Sequence, residues 1–151
     1  MGTRVDGAAV LTRRDRRAVI AARAALAALL TFVAYLSVAP PGDTPESGFA
    51  LAEALSLLLF GDAAFADKIG HFSAYAALGA VAVPARLWRA RAVFAPLALG
   101  FYGIVLEGFQ MGLPARDADF FDGLANVAGA VVGFYGSSVA LTVWRRRTLR
   151  R

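Results

Sequence analysis

Apolar residues in this chain form four long runs separated by short polar stretches. The first covers residues 24–39, AALAALLTFVAYLSVA, and with residues 18–20 leading into it a helix here would be about 33 Å long, at roughly 1.5 Å per residue. Three further runs follow. The pattern predicts an all-α membrane protein with four transmembrane helices at about residues 18–39, 69–85, 92–111 and 124–144.

The first run has an alternative interpretation, and the connection after it has two. Ser37-Val38-Ala39 loosely resembles a signal-peptide cleavage site, but two prolines follow at once, which favours a retained helix. Residues 49–60, FALAEALSLLLF, have helical spacing but are too short to cross a bilayer. We expect an interfacial or re-entrant helix there; an amphipathic helix lying on the bundle is the alternative.

Composition supports a membrane protein. The 151 residues are 58% hydrophobic and 18% charged, with a mean hydropathy of +0.57. The net charge of +5 comes from short basic clusters between apolar runs, which suits a membrane surface and argues against a nucleic-acid partner. The chain has no cysteine, which excludes disulfides, zinc-thiolate sites and thiol catalysis.

The basic clusters also predict an orientation. They lie in the arm 1–23, in the loop 86–91 and in the tail 145–151, so both termini should be cytoplasmic, flanking a membrane domain at 24–144. Lys68 and Arg116 are the two basic residues left on the opposite side, together with nearly all the acids. The helix ends on that outer side are therefore where a polar site is expected.

Three of the predicted helices place polar residues above small or apolar ones on one face. Gly100 and Gly103 underlie the polar end of the third helix, and Gly129, Gly133, Gly136 and Ala140 continue the polar face of the fourth. Small residues let helices approach closely in lipid, so these faces should pack together. The residues predicted to converge at the outer mouth are Asp67, Lys68, His71, Tyr75, Glu107, Gln110, Arg116, Asp119, Asp122 and Asn126.

A hydrated pocket would explain this concentration of polar groups. Lys68, Arg116 and two helix N-termini favour an anionic group such as a phosphate. His71 and Glu107 are the candidate acid/base residues. Structural alternatives remain for most of these residues: a helix-tying role for His71, Gln110 and Asn126, and N-caps at Asp67 and Asp122.

A metal site is a further alternative, because a hard or borderline cation accepts ligands such as His71, Glu107, Asp67 and Asp122. Their spacing matches no established metal signature. The sequence therefore predicts neither a metal nor a cofactor.

The polar residues form three motifs in order. D-K-x-x-H-x-x-x-Y covers Asp67 to Tyr75, E-x-x-Q covers Glu107 and Gln110, and R-x-x-x-x-x-D-x-x-x-N-x-x-G covers Arg116 to Gly129. Together they resemble the VanZ-like family of small bacterial membrane proteins, over about residues 67–133. The resemblance implies a protein of the bacterial cytoplasmic (inner) membrane and a role in envelope biology, in a family named for a link to resistance to the glycopeptide teicoplanin.

Three hypotheses for function follow. In the first, the outward pocket binds the phosphorylated head group of an envelope lipid, either a polyprenyl-phosphate-linked intermediate or a phospholipid, and modifies or moves it. In the second, the protein is an accessory subunit of a larger membrane complex, and the polar residues lock the helices together. The third is a small transporter or channel acting as an oligomer, which is weakened by the small number of helices and the lack of an inverted repeat. No nucleophile or nucleotide-binding motif is present, so the sequence assigns no enzyme class.

Overall fold

The computed structural model describes residues 12–39, 46–86, 92–113 and 119–148. Within these ranges the chain is helical and contains no strand, which confirms the all-α prediction. The helices are α1 (Arg13–Val38), α2 (Glu46–Phe60), α3 (Ala66–Ala85), α4 (Phe94–Gln110) and α5 (Phe120–Thr148), with a short 3-10 turn at Ala63–Phe65 before α3.

Two of these helices, α1 and α5, are long and apolar enough to cross a membrane, judged by length and composition. Each of the other two predicted spans also corresponds to a helix. However, α4 has only 17 residues, and α3 carries Asp67, Lys68 and His71 in its first two turns. The segment expected to form a short separate helix lies within α2. Residues 13–23 of the predicted basic arm are helical and continuous with the first apolar run.

Helix α1 is fastened to the bundle by three side-chain hydrogen bonds. Near its start, Arg23 Nε donates to the carbonyl of Ala85, at the end of α3 (3.1 Å). Farther along, Tyr102 Oη of α4 donates to the carbonyl of Leu30 (2.7 Å). Gln110 Nε2, at the end of α4, donates to the carbonyl of Ser37 (2.9 Å). Helix α1 is therefore antiparallel to α3 and parallel to α4.

Helices α3 and α5 pack closely because three glycines lie between them. A Cβ added at Gly129 would overlap the carbonyl of Phe72, and one at Gly133 would overlap the carbonyl of Ala76. From the other side, a Cβ at Gly79 would overlap the carbonyl of Ala130. Phe72 contacts Gly129 and Ala76 contacts Gly133, so residue numbers increase in the same direction along both helices and α3 and α5 are parallel. These contacts confirm the packing predicted from Gly129 and Gly133.

Helix α4 packs against α5 through the other two predicted glycines. A Cβ at Gly100 would lie 2.9 Å from Cγ2 of Val127, and one at Gly103 would lie 2.9 Å from Cβ of Asn126. Both distances are shorter than a carbon–carbon contact allows. The small residues of α4 therefore hold its polar end against the polar start of α5.

The packing face predicted for α5 is longer than the face that contacts its neighbours in the structure. Gly136 is exposed and an added Cβ there would meet nothing within 4 Å, and Ala140 is exposed as well. Beyond Gly133, the ends of α1, α3 and α5 line a cleft of about 330 Å³. Ala18, Val83 and Ser138 each contribute to its wall, one from each helix. Among the described residues, no helix therefore packs against α5 at Gly136.

The two ends of the bundle carry opposite charges. One end, called here the basic end, has Arg86 at the end of α3 and Arg145, Arg146 and Arg147 in the last turns of α5. The opposite, acidic end has Asp62 just before α3, Asp67 in its first turn, and Asp119 and Asp122 at the start of α5. Asp15 lies near the basic end, where it completes a capping box with Thr12 at the start of α1.

The sides of the bundle between these ends are apolar. Large side chains of α4 and α5 are among those exposed, including Phe101 (67%), Phe109 (65%) and Val139 (63%). The core behind them is small and is built around Tyr75, Leu78 and Phe134. An exposed apolar surface of this extent favours contact with lipid or with a partner protein.

Candidate functional site

Three helix ends meet at the acidic end and supply the polar residues. Helices α3 and α5 both begin there, and α4, which is antiparallel to them, ends there. Their first or last turns carry ionisable and amide side chains within a few ångströms of one another. We call this group the polar cluster; its members are Asp67, Lys68, His71, Glu107, Asp119, Asp122 and Asn126.

Lys68 links the starts of α3 and α5. Its Nζ lies 2.6 Å from Asp119 Oδ2, 2.8 Å from Asp122 Oδ1 and 3.8 Å from Asp67 Oδ2. Asp122 is only 3% exposed, so its charge depends on Lys68 for compensation. The hydrogen bond from Lys68, with a second from the backbone N–H of Phe121, holds the pKa of Asp119 below its usual value.

His71 is oriented by Asn126. Asn126 Oδ1 lies 3.1 Å from His71 Nδ1. Because an amide oxygen only accepts hydrogen bonds, Nδ1–H is the donor in this contact. His71 Nε2 then faces Asp67 Oδ1 at 3.6 Å and Asp122 Oδ2 at 4.0 Å.

Two buried polar atoms of the site have neither a hydrogen bond nor an ion pair among the described residues. One is Glu107 Oε2; the residue is 8% exposed, and its other oxygen, Oε1, lies 3.7 Å from His71 Nδ1. The other is the hydroxyl of Tyr75, which is 1% exposed and packs under the polar cluster against Gly103. Buried polar groups normally have partners, so a ligand or an ordered water is expected at this point.

Neither aspartate is an N-cap, which was the structural alternative for both. Asp67 lies inside the first turn of α3, whose N-cap is Phe65, without a side-chain cap bond. Asp122 lies inside the first turn of α5, where Asp119 precedes the helix and accepts a hydrogen bond from the backbone N–H of Phe121 (2.9 Å). The sequence carried this signal, because Asp119 directly precedes Phe120 and Phe121 at the start of the apolar run.

The predicted site residues do not all meet. Seven form the polar cluster, and Tyr75 lies directly beneath it. The side chain of Gln110 instead ties α4 to α1 through Ser37, which is the interhelical role weighed as its alternative. Arg116 falls in the segment 114–118, outside the described residues, and its contribution stays a prediction.

The described cluster is acidic on balance. Asp67, Asp119 and Asp122 surround a single Lys68, and Glu107 adds a fourth carboxyl group. Lys68 is already engaged by these acids, so it is not a free anchor for an anion. A phosphate entering this site needs positive charge beyond that lysine.

Comparisons of the chain with known proteins found no match. No family model matches the chain, and neither does any curated protein or any solved structure. The similarity to VanZ-like proteins therefore rests on the residue motifs alone.

Proposed function

We propose that the chain is a multi-pass membrane protein in which α1, α3, α4 and α5 cross the bilayer and both termini are cytoplasmic. The up-and-down arrangement of these four helices supports this, because it brings the arginines of three segments to one end. Arginine clusters of this kind stay on the cytoplasmic side. The exposed apolar side chains of α4 and α5 then face lipid.

This topology predicts opposite accessibility for the two ends. The chain has no cysteine, so single cysteines can be introduced directly. In intact cells of a bacterial host, we expect a membrane-impermeant maleimide to label Ala64→Cys at the acidic end and not Thr148→Cys at the basic end. After permeabilisation both should react. Labelling of Thr148→Cys in intact cells, with Ala64→Cys protected, would reverse the proposed orientation.

At the acidic end we propose a VanZ-like site that binds the phosphorylated head group of an envelope lipid of the bacterial cytoplasmic membrane. The observation that carries this proposal is the convergence of three helix ends on one polar cluster, in which Lys68 and His71 lie beside the buried Asp122 and Glu107. The N-termini of α3 and α5 point toward the same place, and helix N-termini attract phosphate. Lys68 and Asp67 lie on the open side of the cluster, where a head group would enter.

The role of His71 and Glu107 in this proposal is to accept or hold a proton next to the bound head group. They lie 3.7 Å apart, so one bound head group can contact both side chains.

A second candidate is the accessory subunit of a larger membrane complex. The observation in its favour is that Lys68 and Asn126 each join two helices, as an architectural lock would. In that case the exposed apolar side chains of α4 and α5 would dock a protein as well as lipid. The two candidates differ in whether Glu107→Gln changes ligand binding or only stability.

Binding of a defined lipid separates them. We expect a polyprenyl phosphate to raise the melting temperature of the detergent-solubilised protein by roughly 5–10 °C, since a ligand at about 100 times its Kd contributes about 2.7 kcal/mol. Glu107→Gln and His71→Ala should lose most of this shift. Glu53→Gln, which removes an exposed carboxylate on α2, is the matched control.

The unphosphorylated polyprenol serves as the control ligand, because it keeps the tail and lacks the anionic head. An equal shift with polyprenol, or an unchanged shift in Glu107→Gln, would count against a head-group site at the polar cluster. Loss of stability in Glu107→Gln without any lipid-dependent shift in the wild type would favour the accessory subunit.

A further inference from the structure

We propose that Asp67, His71 and Asp122 bind one divalent transition-metal ion, Mn²⁺ or Zn²⁺, at the acidic end. One ligand atom from each of these residues lies within 4.8 Å of the other two. Two come from adjacent turns of α3, and the third comes from the first turn of α5, so the packing of the two helices forms the site. This assignment revises the sequence-based expectation of no metal.

The orientation of His71 is that of a metal ligand. Its Nδ1–H is held by Asn126 Oδ1 at 3.1 Å, which leaves the lone pair of Nε2 facing the two aspartates. Ligating histidines almost always donate their other ring N–H in this way, and the partner fixes both tautomer and ring orientation. Asn126 is 1% exposed, so packing fixes its side chain and with it the orientation of the ring.

The two aspartates divide their oxygens between Lys68 and His71. Asp67 Oδ2 and Asp122 Oδ1 face Lys68, whereas Asp67 Oδ1 and Asp122 Oδ2 face His71 Nε2 at 3.6 and 4.0 Å. These last two distances are too long for hydrogen bonds. They are close to the separation of about 3.4 Å between ligand atoms that share a tetrahedral ion at roughly 2.1 Å. Small side-chain movements are enough to close the site.

A second and independent observation comes from Glu107. It is 8% exposed, its Oε2 has no partner among the described residues, and its Oε1 lies 3.7 Å from His71. Glu107 approaches the Nδ1 side of the ring, so it is not one of the three ligands, and its unpartnered oxygen is left to accept a hydrogen bond from a water or ligand bound beside the histidine. The described cluster has four carboxyl groups and one lysine, so a divalent ion would offset part of its negative charge.

The ligand types select the ion. One imidazole nitrogen with carboxylate oxygens suits Mn²⁺ or Zn²⁺, whereas Mg²⁺ and Ca²⁺ prefer oxygen alone. Three protein ligands leave positions open, as in metal sites that bind substrates. Phosphate oxygens of a head group could fill them, which would supply the positive charge that Lys68 does not. This bridging role rests on the proposed function, whereas ion binding itself does not.

The first test uses the full-length chain, purified in detergent, stripped with EDTA and dialysed against Mn²⁺ or Zn²⁺. We expect about one ion per chain by elemental analysis and a higher melting temperature with the ion. His71→Ala and Asp67→Asn should weaken binding about tenfold or more, and Glu53→Gln should not. Asp67 is half exposed, so Asp67→Asn keeps the fold and should match the wild-type melting temperature after stripping.

Three results would overturn the ion site: no bound Mn²⁺ or Zn²⁺ in the wild type, binding in Asp67→Asn and His71→Ala equal to that of the wild type, or a preference for Mg²⁺ or Ca²⁺.

The second test repeats the polyprenyl phosphate titration with and without EDTA. We expect EDTA to abolish the lipid-dependent shift. Lipid binding that is indifferent to EDTA would overturn the bridging role and leave the head-group site standing. Ion binding without any lipid binding would sustain the ion site and count against the proposed function.

Discussion

Gly133→Val should be among the most destabilising single substitutions in the chain. A side chain at this position meets the backbone of Ala76, which cannot move without separating α3 from α5. Overpacking typically costs 1–3 kcal/mol, and a clash with backbone falls at the upper end, at about 3 kcal/mol. At roughly 2–4 °C per kcal/mol, the melting temperature in detergent should fall by about 6–12 °C.

Gly136→Val is the matched control, because it lies on the same helix one turn later and an added Cβ there meets nothing within 4 Å. It should change the melting temperature by no more than a degree or two, with the small loss or gain set by helix propensity. Equal destabilisation by the two substitutions would mean that the close approach of α3 and α5 at Gly133 is wrong. The polar cluster, which depends on that approach, would then lose its basis.

Lys68→Met should also destabilise strongly, for an electrostatic reason. It leaves Asp122, which is 3% exposed, without its cation, and removes the contact at 2.6 Å that joins α3 to Asp119. Removing one partner of a buried ion pair costs about 3–5 kcal/mol. Lys68 is itself 28% exposed, so water replaces part of the interaction and we expect about 2–3 kcal/mol. Thermal unfolding in detergent measures the loss.

The double variant Lys68→Met with Asp122→Asn tests whether the uncompensated charge of Asp122 causes the loss of stability. It removes the buried charge along with its partner, so it should recover at least half of the stability lost in Lys68→Met. Asp62→Asn, which affects only the cap of the 3-10 turn before α3, is a control for removing a carboxylate nearby. A double variant less stable than Lys68→Met would show that the charge of Asp122 is not what Lys68 compensates.

The contact between α3 and α5 could be predicted because its cause is local. Gly129 and Gly133 share one face of one helix, and helices in lipid approach through such faces. The same reasoning failed at Gly136, because periodicity says which face a residue is on and not how far the partner helix follows it. The cleft that opens beyond Gly133 depends on three helices together.

The sequence predicted which end of the bundle is polar, but it did not predict which side chains contact each other across helices. Helical spacing places Asp67 and His71 on one face of α3, so a polar mouth followed from the sequence. Their approach to Asp122, which lies on another helix, depends on the register of α3 against α5, and no local pattern encodes that register. For the same reason, the sequence did not show that Gln110 contacts Ser37 of α1 instead of the polar cluster.

The most direct test of the central claim, that the polar cluster is a lipid head-group site, is native mass spectrometry of the protein gently extracted from its own membrane. We expect the wild type to retain a phosphorylated lipid, and Glu107→Gln and His71→Ala to lose it while remaining folded. Glu53→Gln should retain it. Retention of the same lipid by all four proteins, or retention of a protein partner with no lipid that depends on Glu107 and His71, would contradict the account.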